Sequence, residues 1–191
     1  MSAETVPEWL VTPPGGWTAD DLDRLPPEAP RCEVLDGALI VISPQRKFHS
    51  VAMGKLFNAL YAAAPEGWQV TQEMTVRIDE WNRAEPDLVV AYPGVAENPD
   101  RTSYEPDEVA LAVEIQSPES AFQDRVSKPK KYARAGIPHY WLIDDVKGAA
   151  IVHVFALQKA GRKYTEMAVE RVKLTVEEPF PVTVDVNRLY P

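Results

Sequence analysis

Two acidic residues of this chain stand where acidic residues are costly. In RAEPDLVVAYP (83–93) Asp87 immediately precedes an apolar run; in EVALAVEIQSP (108–118) Glu114 follows five apolar residues, with Gln116 two positions on. Taken singly, each has an ordinary explanation, because Asp follows Pro in many turns and a carboxylate can cap a strand in solvent. Glu114 fits that explanation less well, since an unpaired charge inside an apolar strand is expensive to bury. If the two runs pair as consecutive antiparallel strands, the start of one lies beside the end of the other, and Asp87 meets Glu114. Adjacent carboxylates repel and shift each other's titration unless something positive intervenes, and a divalent cation is the usual solution. Oxygen-only donors favour Mg2+, Mn2+ or Ca2+ over zinc, and His49, His139 and His153 show no zinc-like spacing.

Other residues bear on such a site. Alternation along a strand puts Gln116 on the same face as Glu114, so its amide is expected to point at the metal. Asp124, Lys128 and Tyr132 are spaced four apart and share a helix face. An exposed Asp–Lys pair of this kind contributes only ~0.3–0.5 kcal/mol. A lysine brought beside the acids would instead supply the cation that phosphoryl transfer requires.

These residues need elements to position them. Residues 1–30 hold six of the eighteen prolines and read as an irregular arm around a short helix near Ala19–Leu25, wrapping the domain formed by 31–191. RCEVLDGALIVIS reads as a hairpin turning at Asp36-Gly37. Val51, Leu56, Leu60 and Ala63 recur at helical spacing over 50–64, and Pro65 with Gly67 ends that helix. Strands follow at WQVTQEMTVRID, DLVVAY and VALAVEIQ, the last two separated by a long polar loop. A second helix spans about Phe122 to Ala135, with Pro129 as a kink or fresh start and Gly136 as its stop. HYWLIDD, AAIVHVFAL and KYTEMAVERVKL supply further strands. The order predicts a mixed α/β domain around one sheet.

At 191 residues and 45% hydrophobic the chain is expected to form one main core. It has no apolar stretch long enough for a signal peptide or a membrane span, and its single cysteine, Cys32, excludes an internal disulfide. Together these predict a soluble cytoplasmic protein. A net charge of −9 argues against nucleic-acid binding unless cations are locally concentrated. RKFH (46–49) and KPKKYAR (128–134) are such clusters, and Lys130, Lys131 and Arg134 are the best candidates for contacts to a phosphate backbone. Tyr132, Tyr140 and Trp141 read as core rather than as base-stacking groups.

Pro86-Asp87 followed by Glu114-Ile115-Gln116 is similar to the PD-(D/E)XK nuclease pattern. A longer train is more specific: CEVLDGALIVISP, His49 heading a helix, EPDLVV, VEIQSPES, and D-x-x-x-K-x-x-x-Y-A-x-A-G-I-P-H-Y-W-L-I-D at 124–144. Over roughly residues 30 to 185 the chain resembles the Uma-two family of that superfamily. The resemblance implies a restriction-endonuclease-like fold, with a mixed central sheet flanked by helices, and a metal-dependent site hydrolysing phosphodiester bonds of DNA. Asp87, Glu114 and the backbone carbonyl of Ile115 would hold Mg2+ or Mn2+. Lys128 would replace the motif lysine, whose usual place Gln116 occupies, and Glu33, in an opening E-x-x-x-G element, would be a further acid. His49 could contact a phosphate or serve as a structural hydrogen-bonder. Nuclease analogy also implies a homodimer. A nuclease fold retained as a non-catalytic binding or regulatory module, and hydrolysis of a small phosphodiester, are the alternative readings.

Overall fold

The computed structural model describes residues 7–191 apart from Glu97 and Lys159, so the first six residues of the expected arm lie outside the described residues. The predicted hairpin joins β1 (Cys32–Leu35) to β2 (Ala38–Val41), paired from Cys32↔Val41 to Leu35↔Ala38. Asp36 (φ 52) and Gly37 (φ 76) are both left-handed, the geometry of a two-residue turn whose twist matches the strands. Helix α1 (Lys47–Ala63) starts one turn earlier than the spacing suggests and buries Phe48, His49, Ala52, Leu56 and Leu60.

Next come β3 (Gln69–Gln72), β4 (Thr75–Asp79), β5 (Asn82–Ala84), β6 (Leu88–Ala91), β7 (Ser103–Tyr104) and β8 (Val109–Ile115). Helix α2 (Lys128–Ala135) precedes β9 (His139–Asp145), β10 (Ala150–Gln158), β11 (Lys163–Glu170), β12 (Lys173–Val176) and β13 (Val182–Asp185). Residues 19–24 form the expected short helix, of 3-10 type.

The strands form more than the one sheet expected. A central six-stranded sheet has the order β11-β10-β9-β8-β6-β3, a five-stranded sheet the order β2-β1-β5-β4-β7, and β12 with β13 makes a ribbon. The division falls at Glu73 (φ 56): what reads as one strand, WQVTQEMTVRID, bends there, and β3 pairs with β6 while β4 pairs with β5. In the central sheet only β8 and β9 run parallel, the crossover being α2, and its other neighbours are antiparallel.

Alternation assigns each face of the central sheet its own core. Leu88, Val90, Leu111, Val113, Trp141 and Ile143 face α1 and the ribbon. Val89, Ala112, Tyr140 and Leu142 face the second core, shared with Leu35, Val76 and Ala84 of the five-stranded sheet and with Tyr132 of α2. By the same alternation the residues just past these runs, Asp87 and Glu114, fall on the α2 side.

The chain is helical from Ala121, but Gln123–Ser127 is a π turn in which the Lys128 N–H donates to the Gln123 carbonyl. Pro129 accounts for it. A proline cannot donate into the preceding turn and its ring clashes with the carbonyl four residues back, which a wider turn relieves. At the other end Gly136 (φ 95) closes α2 in a Schellman motif, with Gly136 N–H on the Ala133 carbonyl and Ile137 N–H on the Tyr132 carbonyl.

Candidate active site

The register of β6 on β8 runs Leu88↔Val113, Val89↔Ala112, so Asp87 and Glu114 are brought together at the sheet edge, as the antiparallel pairing requires. Asp87 is held from two sides: Oδ1 lies 2.7 Å from His49 Nε2, and Oδ2 accepts the Ile115 backbone N–H at 2.5 Å. Glu114, 2% exposed, accepts the Tyr132 hydroxyl at 2.7 Å on Oε1 and the Lys128 ammonium at 3.2 Å on Oε2. Glu33 arrives from the other sheet, on β1. Its Oε2 stands 3.0 Å from Lys128 Nζ and also accepts the Glu85 N–H at 3.2 Å.

Lys128 is therefore the centre of a cluster, with Glu33, Glu114 and Asp124 at 3.0, 3.2 and 3.6 Å from its ammonium. The i, i+4 pair with Asp124, which on an exposed helix would contribute little, is buried here: Lys128 is 5% and Asp124 2% exposed. One Asp124 oxygen accepts the Ser120 hydroxyl, and the other, Oδ1, has no hydrogen-bond partner among the described residues. The cluster lines a cleft of about 320 Å³, with Arg31, Arg46 and Glu119 at its mouth.

Charge crowding dominates this site. Burial lifts the Glu114 carboxyl well above the usual range; Lys128 opposes that shift, while Asp124, Asp87 and Glu33 add to it. Burial alone would lower the Lys128 ammonium, but Glu114, Glu33, Asp124 and Asp87 outweigh it and hold its pKa well above the ordinary lysine value. Asp124 is raised by burial against Lys128 and the Ser120 hydroxyl. The Tyr132 phenol is also raised, by burial and by the Glu114 carboxylate beside it, so it stays a donor. Four carboxyl groups face one ammonium, and the crowding makes Glu114 and Asp124 hold their protons more tightly than usual.

Among the described residues no three Asp, Glu, His or Cys side chains already stand together as a metal-holding group. The fit to a cation is one of charge and donor chemistry. Mg2+ commonly keeps several waters and takes only one or two protein carboxylates, all donors here are hard oxygens, and one buried carboxylate oxygen of Asp124 accepts no hydrogen bond, the Lys128 ammonium standing 3.6 Å from it. Asp87 and Glu114, which meet at the strand edge with Ile115 beside them in the cleft lining, are the residues that could hold such an ion.

The residues singled out by sequence do not all converge. Asp87, Glu114, Ile115, Lys128 and Glu33 line the cleft; Gln116 does not. It keeps the face of Glu114, but two residues further along the strand, at the position beside Asp144 of β9, to which its amide donates at 3.2 Å. Sharing a face gives the direction and not the reach, which falls short by about 7 Å of strand. Lys131, expected to contact a phosphate backbone, is engaged by Asp36 of the β1–β2 turn. Tyr132 is core as expected, but its hydroxyl orients Glu114. His49 serves as a hydrogen-bonder, to Asp87. Glu85, raised by burial although Arg31 pairs with it, also lines the cleft and is not among the residues the sequence singles out. Its spacing of two from Asp87 is the signal that points to it, since both belong to one extended segment.

Comparison with known proteins bears on the fold and the family. No curated protein matches the chain. Among solved structures, a protein from Anabaena variabilis ATCC 29413, described as "a putative nuclease belonging to DUF820", is similar with a TM-score of 0.66 over 90% of this chain and 96% of that one, at 17% identity. At that identity the likeness speaks to the fold, the restriction-endonuclease-like arrangement of a mixed sheet flanked by helices. The family model Uma2, "Putative restriction endonuclease", matches residues 19–187, nearly the whole chain, so the chain belongs to the Uma2 family.

Proposed function

We propose that this protein is a metal-dependent endonuclease that hydrolyses phosphodiester bonds of DNA. Membership of the Uma2 family supports a nuclease function. The observation that carries the finer reading is the buried Lys128 ammonium within 3.6 Å of three carboxylates, beside the strand edge where Asp87 meets Glu114. A structural ion pair needs one acid, not four, and the surplus of acids suits a second cation able to displace their protons.

Bound Mg2+ or Mn2+ would lower the pKa of a coordinated water and neutralise charge building on the phosphate. Asp87 and Glu114 would hold that ion, with the Ile115 carbonyl. His49 and the Ile115 N–H fix both oxygens of Asp87, and Tyr132 fixes one oxygen of Glu114, so the ligands are oriented before substrate arrives. Lys128 keeps its proton next to the acids and would face the phosphate oxygens, stabilising the pentacoordinate transition state as water adds and the P–O bond to the leaving oxygen breaks. Glu33 and Asp124 hold the ammonium in place. Nuclease analogy implies two copies related by two-fold symmetry, and light scattering tests that assembly.

One observation favours a second reading, a nuclease fold kept for binding: all four oxygens of Asp87 and Glu114 already have protein donors. Cleavage of supercoiled plasmid and single-stranded DNA at low salt with Mg2+ or Mn2+ separates the two. Wild-type nicking lost in Asp87→Ala, Glu114→Ala and Lys128→Ala supports the enzyme. No nicking, with no metal-induced rise in melting temperature, sinks it.

A further inference from the structure

On the side of α2 away from the acidic cleft lies a second, larger cavity of about 750 Å³ between that helix and strands β9 to β11. The two cavities share Asp124 and otherwise have opposite character. Five cations line the larger one: Arg125, Lys130 and Arg134 from the helical segment, Arg162 and Lys163 from the β10–β11 turn and the start of β11. All five are exposed. Arg125 is paired with Asp144, whereas the other four have no ion-pair partner among the described residues, in a chain of net charge −9. In the acidic cleft acids outnumber the one buried ammonium; here cations outnumber acids and four of them are left open.

The floor is aromatic. Tyr140 sits opposite Phe155 across β9 and β10, their rings 5.7 Å apart at 30°, and Tyr164 of β11 stacks on Tyr140 at 5.7 Å and 23°. Tyr140 is buried beneath them, while Phe155 and Tyr164 are half-buried at the cavity wall. Tyr164 is anchored by its hydroxyl on the Ile137 carbonyl at 2.9 Å, so its ring orientation is fixed.

Arg162 adds an independent sign. It is left-handed (φ 46), a conformation that L residues other than Asn and Asp seldom adopt, although Gly161 stands next to it and has an ordinary φ. Its guanidinium donates to the Arg134 carbonyl at 2.8 Å, at the C-terminal end of α2, which brings a second arginine over the cavity rim.

Resting on the nuclease reading, we propose that this groove binds single-stranded nucleic acid, the cations following the phosphates and the outer faces of Phe155 and Tyr164 receiving unstacked bases. A cavity of this size holds a ligand of about nucleotide dimensions and not a duplex. In a duplex the bases are stacked on one another and withdrawn from side-chain faces, so cations combined with aromatic walls suit strands whose bases are free. The groove meets the cleft at Asp124, and a strand lying in it is led round the start of the helix towards Lys128. The substrate is then a strand end, a flap or a melted segment, held on one side of the helix and cut on the other.

The test is fluorescence anisotropy of full-length protein, without divalent metal, on a labelled oligothymidylate of about 12 nucleotides and on a blunt duplex of the same length. The single strand is expected to bind more tightly. The triple variant Lys130→Glu, Arg134→Glu, Lys163→Glu is expected to lower its affinity at least tenfold and to reduce the slope of log affinity against log salt by about 2, at roughly 0.7 for each cation lost. Arg162→Gly, which relieves the backbone, is expected to fold as well as wild type and still bind several-fold more weakly. Tighter duplex binding, or unchanged affinity in both variants with the fold intact by circular dichroism, overturns the proposal. Asp87→Ala keeps the two readings apart. If it binds the oligonucleotide like wild type but does not cut, both stand; if wild type cuts while the groove variants bind and cut as well as it does, the groove falls and the nuclease remains.

Discussion

The two sides of α2 use charge in opposite ways. Towards Asp87 and Glu114 the helix presents Lys128 and Tyr132, both buried, each bound to Glu114, in a cluster where acids outnumber cations. Towards β11 it presents Lys130 and Arg134, both exposed and without carboxylate partners among the described residues. A buried charge is costly unless paired, and its removal is felt as stability; an exposed unpaired cation costs almost nothing and its removal is felt only by an anionic ligand. One helix thus carries lysines whose loss should have different signatures, and the contrast can be broken experimentally.

The largest effect is expected from Asp87→Ala, which should lower metal-dependent cleavage about 10³-fold or more, several kcal/mol of transition-state stabilisation, with the fold intact. Single-turnover cleavage with near-ultraviolet circular dichroism checks both halves. Next, Lys128→Met should destabilise the metal-free protein by about 3–5 kcal/mol, because it leaves buried carboxylates uncompensated; Mn2+ should recover part of the loss. Chemical denaturation with and without metal measures this, and a variant as stable as wild type would mean that the acids around Lys128 are largely protonated.

Glu114 gives a pH test. Its folded pKa is raised above the unfolded value, by burial first and by its acidic neighbours, so the folded protein binds that proton more tightly. The stabilisation is complete below the unfolded pKa and is lost as pH rises through the folded one. Metal-free wild type should therefore lose stability on going from acid towards neutral pH, and Glu114→Gln should flatten that loss, melting higher by about 2–4 °C for each kcal/mol recovered. Metal binding runs the other way, since the ion must displace the proton and affinity should increase with pH in wild type. Tyr132→Phe removes one hydrogen bond to Glu114 and should cost about 1–3 kcal/mol. The smallest effect is that of Lys131→Ala: its pair with the exposed Asp36 contributes about 0–1 kcal/mol, and oligonucleotide affinity should stay at the wild-type value where Lys130→Ala lowers it.

Much of this architecture is legible in the amino-acid sequence. The Asp36-Gly37 turn, α1, the antiparallel pairing of the two acidic strands and the stop at Gly136 follow from local rules, and Glu33, Asp87, Glu114 and Lys128 do converge. What local rules miss depends on tertiary context. β5, Asn82–Ala84, is not among the strands the sequence predicts, because its burial rests on Arg83 being satisfied by Thr75, Asp23 and two backbone carbonyls from distant segments. The second sheet is hidden because Glu73 adopts a conformation that no residue type there announces. Gln116 misleads because period-two alternation gives a side and says nothing of distance along it. Tyr140, which reads as plain core, is buried as expected, but the groove above it needs β10 and β11, which no local pattern places beside α2.

The π turn at Gln123–Ser127 has a consequence for how this chain tolerates change in length. Because it holds one residue more than an α-turn, deleting Arg125, Val126 or Ser127 would restore regular winding and make Asp124 the i, i+3 neighbour of Lys128 in place of its i, i+4 neighbour. The contact between this carboxylate and the ammonium would have to be remade at a new spacing, although neither residue had been altered. Along this stretch the count of residues sets the spacing of Asp124 from Lys128, so a one-residue gap here between otherwise similar chains would act on the buried cluster as a substitution does.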